Sequence, residues 1–188
     1  MLQKMFPQDG ATTPEIRFKG FAGEWKTKRV DQIAPLQRGF DLPTVKVRRG
    51  EYPVVYSNGI LRSHNEYKCV SPGVVTGRSG TIGKVTFVTE NYWPHNTSLW
   101  VTDFFDNDPL FIYYFYIQFR LNRFDAGSTV PTLNRNDVHG VRAKIPSSAE
   151  QKKIGLYFRN TDELISKHAT QLKKLKNIKS ACLEKMFV

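Results

Sequence analysis

The sequence predicts an α+β protein: a globular domain of mixed strands and hairpins over residues 1–147, then one long helix over residues 148–188. Three observations carry this. Residues 1–147 are rich in Gly, Pro, aromatic and β-branched residues in short patterned runs, as alternating strands and turns require. Residues 148–188 contain no proline and a single glycine, Gly155. Apolar residues in that tail recur at gaps of three, four and seven, the spacing of one helix face.

Within the first part, "GVVTGRSGTIGKVTFV" reads as two β-branched runs around a glycine-rich turn, a hairpin. "NTSLWVTDF" reads as a further strand. "DNDPLFIYYFYIQFRL" reads as a helix with Asp108 as N-cap and Pro109 at its first position. That helix is apolar around most of its circumference, so it is expected to be the buried spine of the domain. Its tyrosines Tyr113, Tyr114 and Tyr116 are then core residues and not base-stacking groups.

The tail opens at "IPSSAEQKKI", with Ser147 or Ser148 as N-cap and Glu150 or Gln151 three residues on, a capping-box arrangement. Ile154, Phe158, Ile165, Leu172, Leu175 and Ile178 form the stripe expected to pair with another helix, with Thr161 and His168 as polar interruptions. Forty helical residues extend about 60 Å, too long to lie wholly on a domain of this size. The tail carries nine Lys and Arg against four Asp and Glu.

The whole chain has 28 Lys and Arg against 17 Asp and Glu, a formal charge of +11, which favours a polyanionic partner such as nucleic acid. The two cysteines, Cys69 and Cys182, are far apart and show no metal-ligand spacing. They fit a reducing cytosol, so a cytoplasmic protein is expected. No segment is long and apolar enough to suggest a membrane span.

The glycine loop "TGRSGTIGK" matches neither GxxxxGK[ST] nor GxGxxG. Two readings remain open for it: an ordinary turn, or a tip presenting Arg78, Ser79 and Thr81 to a phosphodiester backbone. His64, His95, His139 and His168 have no Ser or Cys partner in a recognisable motif, and carboxylates are sparse in the apolar segments. No metal site or catalytic constellation is indicated. Basic and amide residues recur instead in four apparent loops. They supply Lys46, Arg48 and Arg49; Asn58, Arg62 and His64; His95, Asn96 and Thr97; and Ser128, Asn134 and Arg135. Arg and Asn read guanine and adenine edges bidentately, whereas Lys, Ser and Thr more often hold phosphates. Together with Arg78, Ser79 and Thr81 these are the candidate DNA-binding residues. A small stand-alone DNA-cleaving enzyme and a coiled-coil interaction protein with incidental basic charge are the rival classes.

Several stretches in fixed order resemble the specificity subunits of type I restriction–modification enzymes. They are "PEIRFKGFAGEW", "RGFDLP", "GVVTGRSGTIGKV", "WPHNTSLWV", "GSTVPTLNRNDVHGV" and the "IP…EQKKI" start of the long helix. The resemblance implies a target-recognition domain over 1–147 and a conserved pairing helix over 148–188. It implies a non-catalytic chain that binds one half of a split site in double-stranded DNA. Methylation and restriction subunits would be its partners, with S-adenosylmethionine, ATP and Mg on those partners and no cofactor in this chain. A full-length subunit of this family has two such domains and two helices, so two arrangements stay open. The helix pairs with a second copy, or the sequence is half of a longer subunit. "LQKMF" near the start and "LEKMF" near the end then mark one period of a domain-plus-helix repeat.

Overall fold

A computed structural model describes residues 2–8, 10–125, 127 and 129–186. The strands are β1 (Lys26–Arg29), β2 (Leu36–Arg38), β3 (Tyr52–Tyr56), β4 (Gly59–His64), β5 (Gly73–Gly77), β6 (Val85–Val88), β7 (Trp93–Pro94), β8 (Ser98–Val101) and β9 (Arg142–Ile145). The helices are α1 (Pro109–Phe119), α2 (Arg135–His139) and α3 (Ser148–Met186). An α+β architecture ending in a long helix is therefore observed.

The central sheet has the order β2-β8-β5-β6 and is antiparallel throughout. Side chains alternate across it, and both faces are covered. Val74, Leu99 and Val101 join the main core with α1, while Val75 and Val88 meet Val55, Cys69 and Tyr92 on the other side. Covering both faces explains why every residue of the run Gly73–Gly77 is buried. A second sheet, β4-β3-β7, pairs β3 antiparallel with β4 and parallel with β7. The third sheet is the two-stranded pair β1-β9.

α1 begins as its sequence dictates. The Asp108 carboxylate accepts from the Phe111 N–H at 2.8 Å, and Pro109 occupies the first turn. Tyr116 is fully buried and donates to the Ala34 carbonyl, and the Tyr114 hydroxyl donates to Asp162 Oδ2 at 2.7 Å. Both tyrosines are core residues, while Tyr113 lies half-buried against Phe87.

The capping box at the start of α3 forms only in part. Ser147 Oγ accepts from the Glu150 N–H at 3.4 Å, but the Glu150 carboxylate is buried against the Arg17 guanidinium with two contacts of 2.8 Å. Gln151, also buried, accepts from the Asp108 N–H at 2.9 Å and donates to Asn107 Oδ1 at 2.8 Å and the Pro146 carbonyl at 3.1 Å. Gln151 thus bolts the helix root to the start of α1, and Glu150 ties it to Arg17 in the N-terminal segment. Gly155 permits the close crossing, since a Cβ there would lie 3.0 Å from the Phe111 nitrogen.

This docking corrects part of the pairing stripe. Ile154 and Phe158 are 1% and 6% exposed and belong to the domain's own core, with the Phe158 ring 5.3 Å from Tyr114. Ile165, Leu172, Leu175 and Ile178 are 50–63% exposed. Beyond Asp162 every described residue of α3 is exposed, a projection of about 36 Å. The "LQKMF" copy near the start is not α-helical. Leu2–Met5 form a 3-10 turn, and Met5 and Phe6 are buried, with Phe6 stacked on Phe111 at 5.6 Å.

Candidate nucleic-acid interface

One end of the central sheet gathers loops that are distant in sequence. β5 and β6 form the expected hairpin, but their connection is the broad loop 78–84 and not a tight tip. Two other loops hold that connection open. The Thr97 carbonyl accepts from the N–H groups of Arg78 at 2.9 Å and Ser79 at 3.1 Å. On its other side the Arg78 carbonyl accepts from the Leu133 N–H at 2.8 Å, and Gly80 donates to the Pro131 carbonyl at 2.9 Å. Arg78 and Ser79 are consequently half-buried, while Thr81 is exposed.

The turn between β3 and β4 joins the same end. Ser57 N–H donates to Thr97 Oγ1 at 3.3 Å, and Lys84 Nζ donates to the Asn58 carbonyl. Gly77 is the point where these loops meet. A Cβ there would lie 1.7 Å from the Thr81 carbonyl oxygen and 2.6 Å from that of Ser57. No side chain fits between two backbone oxygens at those distances.

His95 sits beside this junction, its Nδ1 3.0 Å from Thr97 Oγ1 and its ring 4.3 Å from that of Tyr56. Burial holds it below the ordinary histidine pKa, against a backbone bond to Leu42 and the charge of Asp41. It is therefore a neutral hydrogen-bonding group near pH 7. Asn96 donates to Asp41, which also pairs with Arg38 at 3.1 Å. Arg135 donates to Gln37 Oε1 at 2.5 Å, tying α2 to β2. Asn134 caps α2, its Oδ1 accepting from Asn136 N–H at 3.0 Å.

Nine sequence-predicted residues thus converge: Asn58, Arg78, Ser79, Thr81, His95, Asn96, Thr97, Asn134 and Arg135. Four others lie apart. All four are exposed: Arg48 and Arg49 flank the open end of the β3–β4 ribbon, about 13 Å along the strands from the turn, Arg62 stands on β4 opposite Val54, and Lys46 ends the 3-10 turn Thr44–Lys46. His64 is corrected outright: it is 4% exposed, its Nδ1 lies 3.1 Å from the backbone of Arg48, and its ring meets Trp93 edge-on. It positions the loop carrying Arg48 and Arg49 and offers no atom to a ligand. Ser128 lies outside the described residues.

Sequence reasoning missed Gln37, Arg38, Asp41 and Lys84 at the convergent end. It also took residues 58–64 for a loop. The Asn58-Gly59 pair between two β-patterned runs is a hairpin signal that would have found β4. Among the described residues no group of three or more His, Cys, Asp and Glu is placed to hold a metal ion, and no helix is long and apolar enough to cross a membrane.

The arrangement suits contact with a polyanion through several loops at once. Similarity to known proteins fits it. The chain resembles the S subunit of a type I restriction–modification system from M. genitalium, with 18% identity, 78% of this chain and 41% of that one covered, and a TM-score of 0.66. It resembles the HsdS subunit from Thermoanaerobacter tengcongensis at 12% identity over 88% of this chain and 42% of that one, with a TM-score of 0.63. A chain from a structure describing assembly and conformational transition of the type I R-M system aligns with 98% of this chain and 50% of its own length. Its TM-score is 0.71 at 15% identity. The chain spans half or less of the length of these relatives, and at such identities the likeness is one of fold. No curated protein matches the chain. The model of the type I restriction modification DNA specificity domain matches residues 22–177, and the chain belongs to that family.

Proposed function

We propose that this chain is the DNA-reading half of a type I specificity subunit. It recognises one half of a split target in double-stranded DNA and directs adenine methylation, and restriction, by partner subunits. The observation that carries this reading is the convergence of loops 57–58, 78–84, 95–97 and 129–135 on one end of the central sheet. Such a surface gives base contacts from several loops a common rigid base, as sequence readout requires.

In this reading the chain has no catalytic step of its own. S-adenosylmethionine, ATP and Mg act on the partners, and α3 beyond Asp162 presents its exposed stripe to a second copy or to another specificity half. Two copies related by a two-fold axis read a palindromic split site. Methylome sequencing after co-expression with the methylation subunit tests this. The expected result is a new split adenine-methylation motif. Its absence from cells containing an assembled complex overturns the proposal. Robust cutting of plain DNA by the chain alone with Mg does so as well.

A further inference from the structure

Away from the convergent loops, a cavity of about 560 Å³ is ringed by cations. Arg120 and Arg123 follow the end of α1, and Arg142 and Lys144 come from β9. Among the described residues no Asp or Glu lines the cavity. None of the ion pairs among the described residues involves Arg120, Arg123 or Arg142. All three are exposed, whereas Lys144 is half-buried and donates to the Ala11 carbonyl.

The Arg123 side chain is held in place, and the Arg120 backbone takes a turn conformation. The Arg123 guanidinium lies 4.5 Å from the centre of the Phe119 ring and 4.8 Å from that of Phe124, and the two rings are themselves stacked. Arg120 closes α1 in the left-handed region at φ 53°, a place where glycine is the unstrained choice. A bland account assigns these cations to the carbonyl end of α1, whose partial negative charge attracts them. That covers Arg120 and Arg123 but not Arg142, which reaches the cavity from a strand.

The cavity borders the convergent end. Asn122, between Arg120 and Arg123, lies within 3.1 Å of where a Gly83 Cβ would stand, so its turn touches loop 78–84. We propose that Arg120, Arg123 and Arg142 form a phosphodiester-binding face that grips the DNA backbone beside the half-site read by the loops. Phosphate is favoured over an acidic protein surface because the aromatic rings of the wall are already covered. Phe6 and Phe115 are 5% and 3% exposed, and the half-buried Phe119 ring carries the Arg123 guanidinium, whereas protein interfaces draw their affinity from open apolar anchors. The inference rests on the DNA-reading function proposed above and adds a contact without base specificity.

The test uses the full chain in complex with its methylation subunit. The probes are two duplexes, one carrying the motif found in the methylome and one with that motif scrambled, titrated from 50 to 200 mM salt. The variants are Arg120→Gln, Arg123→Gln and Arg142→Gln combined, and the corresponding triple Arg→Lys. Each lost phosphate contact lowers the salt slope by about 0.9, so the glutamine variant loses about 2.7 per bound copy. Its affinity deficit relative to the unaltered chain then shrinks by about 40-fold between 50 and 200 mM. The loss is expected to be equal on both duplexes, with preference for the motif kept and the slope kept by the lysine variant.

An unchanged affinity and slope in the glutamine variant overturns the proposal while leaving motif reading intact. Equal loss in the lysine and glutamine variants overturns it too, because charge is then not what matters. Lost assembly with the methylation subunit at unchanged DNA affinity assigns the face to an acidic protein partner instead. Absence of motif preference in the unaltered complex is a different failure, that of the proposed function itself.

Discussion

Phe158 and Leu172 lie on one apolar stripe in the sequence, yet the structure gives them opposite fates, and substitution separates them. Phe158 is 6% exposed and packs on Tyr114 and Tyr157, each with ring centres 5.3 Å away. Truncating a buried phenylalanine to alanine costs about 3–5 kcal/mol in lost transfer energy and residual cavity. With a urea dependence of about 2 kcal/mol per molar, the unfolding midpoint of Phe158→Ala falls by about 1.5–2.5 M. Leu172 and Leu175 are 54% and 63% exposed. In a dilute monomer the paired change Leu172→Asp and Leu175→Asp touches no core, so the midpoint moves by less than about 0.5 M. The three tryptophans, Trp25, Trp93 and Trp100, all lie in the globular part, so their fluorescence reports its unfolding. Sedimentation of the same samples reports association. The aspartate pair is expected to abolish concentration-dependent association while leaving the fluorescence midpoint in place. An unchanged midpoint for Phe158→Ala, or an equal drop for the aspartate pair, refutes the division of α3 at Asp162.

Two more outcomes follow from the convergent end. Gly77→Ala forces a methyl group against two backbone oxygens, and overpacking of this kind costs about 1–3 kcal/mol. Loop 78–84 is pushed off the β3–β4 turn, so DNA affinity should fall at least tenfold (about 1.4 kcal/mol) while far-ultraviolet dichroism keeps its helical signal. Wild-type affinity in that variant means that the loops do not act as one surface. The second outcome concerns pH. Burial is the main cause that holds both His95 and His139 below the ordinary histidine value of 6.5. In the unfolded chain these two rings therefore take up protons as pH falls through 6.5, while in the folded chain they stay neutral to lower pH. Stability is full above pH 6.5 and declines below it, so thermal melts at pH 7.5 and pH 5.5 should show a lower midpoint in acid. Equal midpoints contradict the burial of these rings.

Helix signals in this chain are local and were legible. Asp108 and Pro109 start α1, and the proline-free run from Ser148 makes α3, because capping and periodicity act within a few residues. Strands were legible where their residues are apolar, as in β5, β6 and β8. β1 reads "KTKR" and is exposed throughout. It is a strand only because β9, more than a hundred positions away, supplies its hydrogen-bonding partner. Nothing inside those four residues could announce it.

The candidate site shows the same boundary. That Arg, Asn, Ser and Thr cluster in short polar stretches is a property of the sequence, and so is the family likeness carried by stretches in fixed order. Which stretches meet was decided by long-range hydrogen bonds, such as those donated by the Arg78 and Ser79 N–H groups to the Thr97 carbonyl and by the Leu133 N–H to the Arg78 carbonyl. His64 carries the same chemistry as His95, but on β4 its side chain faces Trp93 and is sealed. The cationic cavity went unseen because Arg120, Arg123 and Arg142 belong to elements that only the fold brings together.

By itself, then, the sequence determined the α+β class, the helices α1 and α3 with their starting points, the basic character and the family, while α2 was read as a loop. The tertiary structure decided which loops share a surface, which half of the α3 stripe the domain keeps, and that the "LQKMF" copy is built into the core. The physical reason is common to all three. Periodicity and side-chain chemistry show that a face is apolar or charged, but only packing settles what covers it.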